Sequence, residues 1–164
     1  MNSAADLIFI FGAKYFPLFT AAVSFFWFLA QPKLRQKELL IIASVYLPLV
    51  LIMAVTASRL YYSPRPFVLG NFQPLIFHKA NNGFPSHHML LASVPAAIIS
   101  IFSRRAGLIL WVLAVFTGFS RIYVGVHHIV DVAASALISI IALALACLFL
   151  RYVKSLKLGV FYGR

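Results

Sequence analysis

The chain has 164 residues, 63% of them hydrophobic and only 10% charged, with a mean hydropathy of +0.97. Such a composition excludes an ordinary soluble domain and indicates an integral membrane protein. Fourteen Lys and Arg against three Asp and Glu give a net charge of +11, but the cations stand in short clusters between apolar runs rather than along a polar face, which argues against nucleic-acid binding.

The first apolar run is Leu7 to Ala30, interrupted by Lys14 and Pro17. It reads as an interfacial segment through about Phe16, bent at Pro17 and followed by a first membrane-embedded helix; Asp6 and the lack of a basic stretch before the run argue against a cleaved signal peptide. Gln31 to Lys37 is a basic loop. Glu38 to Ala57 is a second span, whose internal Pro48 a membrane helix tolerates when neighbours satisfy the freed carbonyl. The longest polar interval, Ser58 to Pro85, holds Pro64, Pro66, Gly70, Pro74, Asn81, Asn82 and Gly83, which break any regular pattern.

A third span is expected over Ser86 to Phe102, opened by a Ser able to cap it. Arg104 and Arg105 form a tight basic turn, so this span and a fourth, about Ala106 to Ile122, are antiparallel neighbours. A fifth runs from His127 to Leu150. Cys147, the single cysteine, lies deep in that run and reads as a small apolar filler. The expectation is an all-α, polytopic transmembrane bundle of five to six helices. It forms one domain over residues 1–164, made of the N-terminal segment and first span (1–37), a core (38–150) and a basic tail (151–164). No sequence feature specifies an oligomeric state.

Alternate loops carry unequal charge. Lys33, Arg35, Lys37, Arg104, Arg105, Arg151, Lys154, Lys157 and Arg164 fall on one side, and Lys14, Arg59, Arg65, Lys79 and Arg121 on the other. The positive-inside rule places the first set in the cytoplasm. The Ser58 to Pro85 loop and the starts of the third and fifth spans then share the extracytoplasmic side, where Tyr61, Tyr62 and Tyr123 fit an aromatic belt.

That side also collects the reactive side chains. All five histidines, His78, His87, His88, His127 and His128, lie between residues 78 and 128, and Arg59, Arg65 and Arg121 fall on the same side. Asp131 opens a long apolar run, and an ionisable group carried into a bilayer is costly enough to mark function. His127 precedes it by four residues, so on a helix the carboxylate can orient the imidazole. A His backed by Asp and faced by Arg suits attack on an anionic centre. A metal site is the competing reading of the histidines, but one carboxylate among arginines repels a divalent cation, whereas guanidinium groups grip phosphate.

Three pieces in order, Arg65-Pro66, Pro85-Ser86-His87-His88, and Ser120-Arg121 with His127 and Asp131 following, resemble the tripartite signature of the type 2 phosphatidic acid phosphatase superfamily. The third piece matches in every fixed position, and the resemblance covers about residues 38–150. It implies His127 as a nucleophile that forms a phosphohistidine, Asp131 as its orienting base, and His88 as general acid. Arg65, Arg121, Ser86 and the backbone N–H of His87 would hold the phosphoryl oxygens, with no metal or other cofactor.

Two positions depart from the pattern. Ser58 stands where the first motif usually has Lys, with Arg59 as the nearest substitute, although on a helix it is rotated by roughly 100° from the expected direction. His87 stands where the family often has Gly. Residues 63–68, Pro74 to Ile76 with His78, and Gly83 to Ser86 look most like bacterial undecaprenyl diphosphate phosphatases of the bacitracin-resistance type, in which His78 and Lys79 would recognise the second phosphate. The implied partners are membrane lipids and a lipid phosphate or diphosphate, handled in the bacterial inner membrane. A phosphatidate or phosphatidylglycerophosphate phosphatase with the same residues is the enzymatic alternative. An anion-binding channel, transporter or inactive lipid-binding relative is the non-enzymatic one.

Overall fold

The computed structural model describes residues 3–162, with side chains to Ser155. Six helices follow in order: α1 (Ala4–Leu29), α2 (Lys33–Leu60), the single turn α3 (Pro66–Leu69), α4 (His87–Phe102), α5 (Arg104–Tyr123) and α6 (Ile129–Tyr162). Among the described residues there is no strand. Helices α1, α2, α5 and α6 are long and apolar enough to cross a membrane. Helix α4 has 16 residues, about 24 Å at a helical rise of 1.5 Å per residue. Large apolar side chains such as Leu7, Phe26, Leu51, Leu108 and Leu148 point outward, as expected where lipid replaces water.

The N-terminal segment differs from expectation. Instead of an interfacial piece bent away at Pro17, α1 is one helix of 26 residues with Pro17 inside it. Ser3 and Asp6 form a reciprocal capping box at its start, which satisfies two of the free N–H groups there. Thr20 and Ser24 are buried along the same helix, each donating its hydroxyl to a carbonyl one turn back. These small side chains let α1 lie close against α4 and α5, its two principal neighbours. Tyr123 departs from a purely interfacial role too: its hydroxyl donates to Asp6 Oδ1 at 3.1 Å, and its ring stacks on Phe9 at 4.1 Å.

The main core joins α2, α4 and α6. Tyr46, Val50 and Ala54 pack with Leu90, Ile138, Ala142 and Ala146. Tyr46 is fully buried, and its hydroxyl donates to the carbonyl of Ser139 at 3.0 Å, so a polar atom deep in the bundle has a partner. Helices α4 and α5 form a tight antiparallel pair about Ser103, whose hydroxyl accepts from the N–H of Ala106. This chain direction brings the ends of α2 and α5 and the starts of α1, α4 and α6 to one end of the bundle. Lys33, Arg35, Lys37, Arg104, Arg105, Arg151 and Lys154 belong to the opposite end. The Lys157 side chain and Arg164, counted with that basic set, lie outside the described residues.

Tyr46 separates hydrogen bonding from packing. Tyr46→Phe should cost about 1 kcal/mol, the net worth of one hydrogen bond, and Tyr46→Ala about 3–5 kcal/mol through the cavity it opens. Thermal unfolding in detergent measures both, and equal melting temperatures for the two variants would contradict this packing.

Candidate active site

The segment between α2 and α4 is irregular but tightly stapled. Asn82 does most of this: its Oδ1 accepts from the N–H groups of Ser63 and Phe84, and its Nδ2 donates to the carbonyls of Ser58 and Tyr61. Gly83 N–H donates to Ser63 O at 2.8 Å, and Leu75 N–H to Val124 O at 3.1 Å, which ties the segment to the α5–α6 turn. That turn needs Gly125, whose φ of 81° lies in the left-handed region. Gly83 is required for a different reason. A Cβ there would stand 3.1 Å from Asp131 Oδ2 and 3.2 Å from Ser63 O, a crowding that only the absent side chain avoids.

Asp131 is fully buried in the first turn of α6. Its Oδ2 accepts from the His128 backbone N–H at 2.8 Å and lies 3.4 Å from His127 Nδ1. The first contact closes one side of a capping box, since Asp131 N–H donates back to His128 O. The carboxylate also sits at the positive end of a long helix, where negative charge is favoured. His127 precedes α6 rather than lying on it, so the four-residue spacing works from the adjoining turn. The carboxylate is fixed by the helix start and in turn fixes the ring.

Arg65 approaches the other face of that ring. Its Nη1 is 3.3 Å from His127 Nε2 and donates to Val126 O at 2.7 Å, while Nε donates to Asn81 Oδ1 and Nη2 to Asn82 O. A guanidinium can only donate, so Nε2 must carry the lone pair and Nδ1 the proton that faces Asp131. The ring is neutral: burial, more than the Arg121 and Arg65 charges beside it, pulls its pKa from 6.5 down to about 4 against the opposing pull of Asp131. An unprotonated, oriented imidazole nitrogen beside cations has the chemistry that attack on an anionic centre needs.

His88, on the first turn of α4, lines one small cavity with His127, Arg65, His78, Asn81, Asn82, Pro85 and His87. Its volume is about 110 Å³. The imidazoles of residues 88 and 127 therefore meet at a single pocket. His78 joins them, with its ring 6.3 Å from that of His127 and its pKa lowered first by burial and also by Arg65 and Arg121. Ser86 and Arg121 do not line the open cavity; both are buried. Ser86 N–H donates to Asp131 O at 3.2 Å, and Arg121 pushes down the pKa of both His78 and His127. Ser86 occupies the position before α4 but makes no side-chain cap. Its Oγ, with Arg121 Nε and Nη2, has no hydrogen-bond partner among the described residues. Buried donors without partners cost about 1–3 kcal/mol each, more when charged, so this set is suited to an oxyanion rather than to stability.

Other expected residues fall elsewhere. Arg59 and Lys79 are exposed; Arg59 lines a neighbouring groove with Ser58 and His87, and Lys79 is not in the cavity lining. Sequence reasoning overlooked Asn81 and Asn82, which position Arg65, and gave His128 no partner, whereas its Nε2 lies 3.0 Å from Pro64 O. The adjacency of two Asn to Gly83 marked a turn, but nothing in it marked the guanidinium partner 16 residues away.

Comparison with known proteins agrees with this arrangement. The PAP2 superfamily matches residues 61–155. The undecaprenyl-diphosphatase BcrC of Bacillus subtilis (strain 168) is 32% identical over 160 residues, 95% of this chain and 79% of that protein. The bacitracin transport permease protein BcrC of Bacillus licheniformis is 32% identical over 133 residues, 80% of this chain and 65% of that protein. The crystal structure of Aquifex aeolicus LpxE superposes with a TM-score of 0.70 at 26% identity, covering 90% of this chain and 87% of that one.

Histidine-selective ¹⁵N NMR tests the ring assignment. His127 should appear as the neutral Nδ1–H tautomer and stay neutral from pH 7 to about 4. The unfolded chain takes up a proton at this residue below about 6.5, so its contribution to stability is complete above that pH and is lost as pH falls towards 4. Titration near 6.5 in the folded protein would contradict the assignment.

Proposed function

The chain belongs to the PAP2 superfamily of membrane phosphatases, and we propose that it removes the terminal phosphate of undecaprenyl diphosphate through a covalent histidine intermediate, without a metal. The observation that carries the chemistry is the geometry about His127, whose Nδ1 lies 3.4 Å from Asp131 Oδ2 and whose Nε2 meets Arg65 Nη1 at 3.3 Å. Nε2 attacks the terminal phosphorus, and the P–O bond to the bridging oxygen breaks. The electron pair leaves with undecaprenyl phosphate, and His88 supplies a proton to that oxygen. His88 then accepts a proton from water, which attacks the phosphohistidine, frees His127 and releases inorganic phosphate. Arg65, Arg121 and Ser86 stabilise the charge that builds on the equatorial oxygens, as does the backbone N–H of His87.

The donor set supports metal independence. Among the described residues Asp131 is the one carboxylate that reaches a pocket histidine, its Oδ2 is shared by His127 and the His128 N–H, and the Arg65 and Arg121 charges act on that same ring. Support for the lipid comes from the BcrC relative whose name gives that substrate. The positive-inside count puts the pocket on the extracytoplasmic face. There the diphosphate would reach it from the outer leaflet of the bacterial inner membrane, with its prenyl chain still in lipid.

Phosphate release from undecaprenyl diphosphate in detergent, with a chelator present, should continue in the wild type and fall by at least about a thousandfold in His127→Ala, the scale on which removal of a catalytic group acts. His88→Ala should slow turnover about a hundredfold or more while a labelled phosphoenzyme still forms. Loss of all activity to the chelator, or turnover surviving in His127→Ala, overturns the mechanism. A preference for phosphatidylglycerophosphate over undecaprenyl diphosphate overturns the substrate.

A further inference from the structure

Ser58 and His87 are the two positions at which the chain departs from the family motifs, and Arg59, next to the first, stands with His87 at one groove. Both line a groove of about 350 Å³ between α2 and α4, whose other walls are Leu47, Val50, Leu51, Ala54, Val55, Ser58 and Leu90. His87 also lines the small pocket that holds His88 and His127. The groove is thus continuous, through one imidazole, with the site of phosphoryl transfer. Its mouth is cationic and its length is apolar. A second apolar cavity of about 400 Å³ lies on the α1 side of α4, past Leu91, Val94 and Pro95, and has no Lys or Arg in its lining, so the α2 side, with Arg59, is the one matched to an anionic head with a hydrocarbon tail.

Resting on the phosphatase reading above, we infer that Arg59 and His87 form a second phosphate subsite, which holds the phosphate that stays on the lipid, while the prenyl chain lies in the α2–α4 groove towards Leu47. The chemistry favours this division of labour. When the P–O bond breaks, the electron pair passes to the bridging oxygen of the retained phosphate, so negative charge grows on the group beside Arg59. A planar guanidinium gives that group paired donors, and His87 sits between the two phosphates. Arg59 is then a specificity residue, because a lipid monophosphate has no second phosphate for it to hold. Arg59 and the adjoining Ser58 both line this groove, and neither lines the catalytic pocket.

The test is the selectivity of the purified protein in detergent, taken as kcat/KM for undecaprenyl diphosphate divided by kcat/KM for phosphatidate. Arg59→Gln should lower that ratio about tenfold or more, mainly through KM for the diphosphate, and Arg59→Lys should restore part of it. A loss shared equally by both substrates, or an unchanged ratio, overturns the subsite but leaves the phosphatase reading intact. A wild type that hydrolyses phosphatidate and not the diphosphate overturns the proposed substrate together with the subsite. Val55→Trp, which fills the groove, should depress long-chain diphosphates more than short-chain ones; equal effects at all chain lengths would remove the tail from the α2–α4 groove.

Discussion

The active end of this molecule depends on one buried carboxylate. Asp131 is held by the His128 backbone N–H and by the positive start of α6, and it can therefore remain an anion inside a largely apolar bundle. Its second contact, to His127 Nδ1, converts that anchoring into chemistry by fixing which ring nitrogen is free. Gly83 lets the loop backbone close over the carboxylate, and Ser135 donates to both Asp131 O and Ser86 O, so the starts of α4 and α6 share one register. The carboxylate itself therefore holds the ring and the start of α6, while backbone carbonyls join α6 to α4.

The rest of the site shows how a membrane protein distributes polar groups. Away from the pocket, buried hydroxyls are satisfied within their own helices or, like Tyr46, across to a neighbour. At the pocket the rule is suspended: Arg121 and Ser86 keep donors that no protein atom accepts. The α2–α4–α6 core stabilises the bundle well away from the chemistry, which allows such uncompensated donors to persist where an anion is handled.

Much of this was legible in the sequence because it rests on composition and short spacings. Four of the five long helices were located by their apolar runs, with α2 and α5 extending a few residues beyond the expected limits, since helix continues into the charged flanks that a hydropathy reading trims. Helix α6 opens two residues later than expected and runs on to Tyr162, through most of the segment expected as a tail after Leu150, yet the His127–Asp131 pair survives because the adjoining turn delivers the ring to the carboxylate. The N-terminal segment misled because Pro17 reads as a break, whereas a membrane helix accommodates a missing N–H when its neighbours pack closely. The Arg65 cradle was hidden for a different reason. Asn81, Asn82 and the Val126 carbonyl are set by the fold of an irregular segment, and no periodicity encodes a partner brought in from 16 or 61 residues away.

The contact between Arg65 and His127 Nε2 bears on when the enzyme is armed. Arg65 Nη1 stands 3.3 Å from that nitrogen while also donating to Val126 O, so the ring already has a partner there. On the mechanism proposed above, an arriving anion and the ring compete for one guanidinium, and the charge of the guest rather than the movement of a lid sets when the nitrogen is uncovered.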